Sequence, residues 1–166
     1  MQALVNACTQ HDFPARVQLV LSNKADAAGL EFAKSHGIQT EIVPHTNYAS
    51  REDFDQGMLD VLKRYDVDLV CLAGFMRLLT PVFVEPWAGK IINIHPSLLP
   101  KHKGLNTHQR AIDAGDTEAG CTVHYVVPEM DSGEIIVQKR VNIEDNETAQ
   151  SLADKVLAKE HIAYPE

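Results

Sequence analysis

The sequence predicts an α/β fold, mostly a parallel sheet with a mixed or antiparallel extension toward the C-terminus. Three observations carry that expectation. Short apolar runs rich in branched residues alternate with helix-period segments from the start of the chain to His95, the pattern that βαβ units around a buried sheet produce. The run Leu69-Val70-Cys71-Leu72-Ala73 is apolar enough to be buried on both faces, as a central parallel strand would be. Beyond it the pattern changes, and Gly120–Val127 and Ile135–Val141 read as strands joined by the polar turn Pro128-Glu129-Met130-Asp131-Ser132-Gly133.

Taken in order, Met1–Thr9 reads as a helix, because Leu4, Val5 and Cys8 recur at helical spacing. A strand is expected at Arg16–Ser22, then a helix at Asp26–His36 stopped by Gly37, then a strand at Thr40–Val43. Ser50 and Asp53 form a capping-box pattern, after which Phe54, Met58, Val61, Leu62 and Tyr65 line one helix face. Asp68–Ala73 follows as a central strand, and Thr80–Trp87 as a helix with Pro81 in its first turn. Lys90–Ile94 is the fourth strand. The last helix is expected to start near Asn146 or Glu147, with Ala149, Leu152, Ala153, Val156 and Leu157 on one stripe and Glu160 continuing it. An α/β domain usually opens with a strand, so a chain that opens with a helix suggests that its first strand and the turn feeding the helix are missing. That turn is where doubly wound sheets often hold a phosphate.

The chain has 166 residues, which fits one domain over residues 1–166. Its net charge of −8 argues against broad binding to nucleic acid or anionic membrane. No apolar run approaches the roughly 18 to 20 residues of a membrane helix. The three cysteines, Cys8, Cys71 and Cys121, are far apart and show no metal-type spacing, so a reducing cytoplasm is the natural setting.

The densest constellation follows the fourth strand, in Asn93-Ile94-His95-Pro96-Ser97-Leu98-Leu99-Pro100 and on to Gly104-Leu105-Asn106-Thr107-His108. Alternation puts Asn93 and His95 on one face, at the carboxyl end of a parallel strand, where open α/β sheets bind ligands. An amide and an imidazole there can both donate to a developing oxyanion. The residues alone leave equally open that Asn93 begins a turn and His95 is a satisfied core histidine. Asp131, in a turn ending at Gly133, can be aimed into a cleft, although Asp and Gly in turns are ordinarily turn chemistry. Glu160 on an apolar stripe needs a polar partner or a sheet edge. His95, His102, His108 and His124 match no common zinc spacing, so no metal is expected. Cys71 reads as buried strand and not as a nucleophile.

The segments NIHPSLLP at Asn93–Pro100 and GLNTH at Gly104–His108 resemble the folate-dependent formyltransferase family. Also similar, and in the expected order, are Ser22–Ala27, Leu72–Arg77, Gly120–His124, Met130–Gly133 and Glu160–Pro165. The GLNTH and EHIAYP segments favour the branch that formylates glycinamide ribonucleotide over methionyl-tRNA formyltransferases and formyltetrahydrofolate deformylases. The resemblance implies a Rossmann-like formyltransferase fold. It also implies direct transfer from 10-formyltetrahydrofolate, as cosubstrate, to the amine of glycinamide ribonucleotide in purine biosynthesis. Under it Asn93, His95 and Asp131 are catalytic. Arg51, Met76, Arg77, Leu78, Leu79, Asn93, Val127, Pro128, Glu129, Met130 and Asp131 contact folate, and Glu160 contacts the ribonucleotide. The expected assembly is a monomer or homodimer.

Asn106 departs from the family's usual His, and Leu157 stands where a related enzyme is polar. Family members usually begin with an apolar strand and a Gly-Ser-Asn loop before the helix that resembles Gln2–Cys8, so the expectation is a chain shortened at that end and also beyond Glu166. The competing readings are a formyltransferase with another amine acceptor, a folate-binding fragment without turnover, and an inert structural fragment.

Overall fold

A computed structural model describes residues 1–166. The expected alternation is present as α1 (Gln2–Cys8), β1 (Leu19–Ser22), α2 (Ala28–Ser35), β2 (Gln39–Ile42), α3 (Arg51–Leu62), β3 (Val70–Leu72), α4 (Pro81–Val84) and β4 (Ile91–His95). It is followed by α5 (Thr107–Asp113), β5 (Glu118–Tyr125), β6 (Ile135–Asn142) and α6 (Ala149–Ala163). The first four strands pair in parallel, β1 with β2 and β3 with β4, while β5 adds antiparallel to β4 and β6 antiparallel to β5, in the order β3-β4-β5-β6.

Helix α3 shows why the pattern works. The Ser50 hydroxyl accepts the Asp53 N–H at 3.0 Å, and Glu52 and Asp53 face the positive end of the helix dipole. Only this half of the expected capping box forms. Phe54, Met58, Leu59, Val61 and Leu62 are buried against Val43, Phe83, Val84 and Ile91, each large side chain contributing about 1.5–3 kcal/mol. Asp55 is the polar exception on this helix. Its Oδ2 accepts both the N–H and the hydroxyl of Thr80, at 2.6 and 2.7 Å, which joins α3 to the start of α4.

A second core lies under α6, where Leu152, Val156, Ala163 and Tyr164 cover Ala119, Cys121 and Val123 of β5. The Tyr164 hydroxyl reaches the main-chain oxygens of Leu72 at 2.7 Å and Ile92 at 3.2 Å, tying the end of α6 to β3 and β4. Helix α6 starts two to three residues later than expected, because Thr148 and Ser151 form a reciprocal capping box there.

Two expectations are corrected. Strand β3 is not buried on both faces: Leu69 is 47% exposed and Cys71 is exposed. Apolarity reports a tendency to be covered, whereas coverage depends on neighbours, and β3 pairs with β4 alone. Helix α5 was not expected. It is only seven residues long and its preceding residue, Asn106, is left-handed at φ 56°, so it carries few of the signals of a helix start.

Candidate active site

Strand β4 delivers Asn93 and His95 to one face, and the antiparallel register places His124 opposite Asn93 and Thr122 opposite His95. His95 is 6% exposed. Its Nε2 lies 3.0 Å from the main-chain oxygen of His102, and since a carbonyl only accepts, that nitrogen carries a hydrogen. Its Nδ1 faces Asp131, 3.5 Å from Oδ2.

His124 is assigned by the same logic. Its Nδ1 is 2.8 Å from the Tyr125 oxygen and donates, so in the neutral ring Nε2 is an acceptor. The Asn93 amide sits 3.3 Å from that Nε2 and donates to it. Burial holds the His124 imidazole below the ordinary histidine range, against the raising influence of the Tyr125 bond and of Asp131, which keeps the ring neutral and able to accept. One Asn93 amide hydrogen is thereby engaged and the second is free to donate elsewhere.

Asp131 is held from the other side. Its backbone is left-handed at φ 49°, and its Oδ2 accepts the Gly104 N–H at 2.8 Å. Gly104 has φ 79°, a conformation in which glycine carries no Cβ penalty. Lys103 Nζ donates to the Ser132 hydroxyl at 2.5 Å, and Arg110 donates to the main-chain oxygens of Lys103 and Leu105, so the loops after β4 and β5 are laced together. Gly133 allows the turn to close, because a Cβ there would lie 1.7 Å from the Tyr125 oxygen.

The structure thus brings Asn93, His95 and Asp131 together. It adds His124, which the sequence reading weighed only as a metal ligand and within a family motif. Alternation pairs His124 with Thr122 but cannot reveal that it faces Asn93, since antiparallel register is long-range information. His108 is a second addition: its Nε2 is buried without a partner, and burial, with His95 nearby as a lesser cause, lowers its ring below the usual range. The histidines form no group of three or more metal-binding side chains.

The other predicted residues differ in exposure and in what they touch. Met76 is 81% exposed on the loop after β3, and Leu78, Val127 and Met130 are also large, apolar and open to solvent. Pro128 and Glu129 are exposed, and Arg51 is exposed at the first turn of α3. The Arg77 guanidinium lies 5.5 Å from the Phe54 ring centroid, and its Nε is buried without a partner. Leu79 packs partly buried on the first core. Glu160 is not in the Asn93–His95–Asp131 cluster; it lies half-buried on α6, where burial pushes its carboxyl up. Cys71 is exposed as a residue, yet local desolvation raises its thiol to about 11, so it stays protonated at neutral pH and is no nucleophile.

With this geometry in hand, comparison with known proteins is informative. The formyl transferase family matches residues 1–166, the whole chain. The phosphoribosylglycinamide formyltransferase of Haemophilus influenzae is 44% identical over 165 residues, covering 99% of this chain and 78% of that protein. The trifunctional purine biosynthetic protein adenosine-3 of Homo sapiens is 43% identical over 165 residues, but the chain spans only 16% of it. Among solved structures, phosphoribosylglycinamide formyltransferase from Brucella melitensis superposes with a TM-score of 0.95 at 47% identity, covering 99% of this chain and 85% of that one. The fold is the Rossmann-like formyltransferase fold.

Proposed function

The chain belongs to the formyl transferase family, and from that premise we propose that it transfers a formyl group from 10-formyltetrahydrofolate to the amine of glycinamide ribonucleotide, in purine biosynthesis. The observation that supports this most is the convergence of Asn93, His95 and Asp131, with His95 Nδ1 3.5 Å from Asp131 Oδ2 at the carboxyl end of β4.

In this reading the acceptor amine attacks the formyl carbon, a C–N bond forms, and the bond from that carbon to the folate nitrogen breaks. The formyl oxygen gains negative charge as its carbon becomes tetrahedral. The free Asn93 amide hydrogen donates to that oxygen, and His95, whose Nε2 hydrogen is given to the His102 oxygen, acts from its Nδ1 edge, donating there or standing beside the oxygen as a cation when the ring carries a second proton. Asp131 orients His95 and helps carry the proton lost by the attacking amine to the departing nitrogen through water. No covalent bond to the protein is needed. The exposed apolar side chains Met76, Leu78, Val127 and Met130 suit the flat ring of a folate, and Arg77 suits its anionic or carbonyl groups. Arg51, Leu79, Pro128 and Glu129 complete that wall, and Glu160 accepts from ribose hydroxyls.

The same reading makes residues 1–166 one formyltransferase unit, working in the cytoplasm as a monomer or homodimer without a nucleic-acid or membrane partner. No helix is long and apolar enough to cross a membrane.

The deciding experiment is a formyl-transfer assay with purified chain, 10-formyltetrahydrofolate and glycinamide ribonucleotide, with His95→Ala as control. Transfer that falls by about 10²-fold or more in the control is the expected result. Binding of a folate analogue with no transfer would instead favour a folate-binding fragment, and transfer unchanged in His95→Ala would remove His95 from the mechanism.

A further inference from the structure

A cluster of titratable side chains lies behind the catalytic face, outside the residues assigned above. His102 Nε2 is 2.7 Å from Asp116 Oδ2, and Lys101 Nζ is 2.8 Å from Asp116 Oδ1, so both carboxylate oxygens are engaged. The side chains of His102 and Asp116 are each 15% exposed. Pairing holds the Asp116 carboxyl below its ordinary range, with the His102 bond the largest cause. Asp116 is itself fixed, because its N–H donates to the Ala111 oxygen at the end of α5. The cavity beside the pair, lined by Ser97, Thr107 and His108 among others, measures about 10 Å³. That is room for about one water molecule.

The position of the pair suggests a role. His102 is a non-glycine residue in the left-handed region, at φ 53°, and it is the residue whose main-chain oxygen accepts from His95 Nε2 at 3.0 Å. A residue with a side chain occupies that region rarely unless its surroundings hold it there. The holding contact visible at His102 is the Asp116 carboxylate.

We infer that the His102–Asp116 pair is a positioning device for His95: by anchoring the His102 peptide it keeps the hydrogen on His95 Nε2 and leaves Nδ1 as the nitrogen that exchanges protons in the site. His95 has two ring nitrogens of similar intrinsic basicity, and the bond each makes decides which carries the hydrogen of the neutral ring. With the His102 carbonyl in place, the Nδ1 edge facing Asp131 is the working edge. With that peptide free to move, the two tautomers mix and a smaller share of molecules is ready to react. His102 and Asp116 touch no reacting atom, so they are positioning residues and not catalytic ones. The catalytic consequence rests on the proposed formyl transfer, whereas the tautomer itself does not.

The test uses the full chain carrying Asp116→Ala, Asp116→Asn or His102→Ala. His95 ring nitrogens are followed by long-range ¹H–¹⁵N correlation spectra at alkaline pH, where histidine rings are neutral, and formyl-transfer kinetics are measured in parallel. Wild type and Asp116→Asn, which still accepts from His102, are expected to show hydrogen on Nε2. Asp116→Ala and His102→Ala are expected to shift the tautomer ratio by about three- to tenfold, the equivalent of one modest hydrogen bond. Their kcat should fall in proportion to the Nε2-protonated fraction read from the spectra, and so by at most that factor, while KM for both substrates stays within about twofold. Hydrogen on Nδ1 in wild type, or an unchanged His95 spectrum in a folded Asp116→Ala protein, overturns the inference. Should Asp116→Ala not fold, His102→Ala decides, since it keeps the peptide oxygen and removes only its anchor. If wild type shows no transfer, the proposed function fails, and the spectra still judge the positioning role.

Discussion

Thr122→Val is the substitution for which the structure gives the sharpest stability forecast. Thr122 is fully buried on β5, opposite His95. Its hydroxyl donates to the Ser97 oxygen at 2.6 Å and accepts the Leu99 N–H at 3.0 Å and a Gln138 amide N–H at 2.9 Å, which uses its one hydrogen and both lone pairs. Valine keeps the shape and leaves the buried Ser97 oxygen and Leu99 N–H without partners; Gln138 retains its bond to the Leu99 oxygen. An unsatisfied buried group costs about 1–3 kcal/mol, so two of them, offset by the extra apolar contact of valine, should destabilise by about 2–4 kcal/mol. At roughly 2–4 °C per kcal/mol for a chain of this size, Tm should drop by about 5–15 °C. Thr122→Ser loses only a methyl group and should cost about 1 kcal/mol. Because Ser97 and Leu99 begin the loop that ends in the His102 carbonyl, kcat should fall with Tm in the valine variant. Thermal unfolding and transfer assays on the two variants check this. A Thr122→Val protein that melts within about 2 °C of wild type would refute the claim that this hydroxyl holds the loop.

Three further outcomes follow from the same geometry. Asp131→Asn keeps an acceptor for the Gly104 N–H but removes the charge beside His95, so kcat should fall by about 10²-fold and the pH–rate profile should change; an unchanged profile would count against the Asp131 role. Gly133→Ala places a Cβ 1.7 Å from the Tyr125 oxygen, so the turn must move, and both Tm and transfer should drop, as melting and kinetics would show. Glu147 is held down to about 2 by its bonds to Lys155 and Ser151, below the roughly 4.3 of an unfolded glutamate. The pair therefore stabilises the fold above that unfolded value and the contribution is lost as pH falls toward 2. Denaturant titrations between about pH 5 and pH 2 should show a shallower loss of stability in Glu147→Gln than in wild type.

What the sequence could reveal of this site follows from the range of each interaction. Asn93 and His95 were legible because strand alternation is local and puts i and i+2 on one face. Apart from the family resemblance, Asp131 was only one acid in a Gly-ended turn; its proposed role needs the loop after β5 to return to His95, a contact made across 36 positions of chain and held by Gly104 and Lys103. His124 was hidden for the same reason, since its Nε2 meets Asn93 through antiparallel register across 31 positions. The burial of β3 was misread from an opposite limitation, because local apolarity records what a strand can tolerate and not which neighbours it has. What a single sequence hides here is which side chains hold another one in place. Their partners appear only when the hydrogen on each ring nitrogen is assigned. That assignment runs from the Tyr125 oxygen through His124 to Asn93 on one side, and from Asp116 through the His102 peptide to His95 on the other. The Asn93 amide is thus aimed by an acceptor on β5 and the His95 ring by one on the loop after β4, so substitutions at these acceptors' own anchors should alter kcat while β4 itself stays folded.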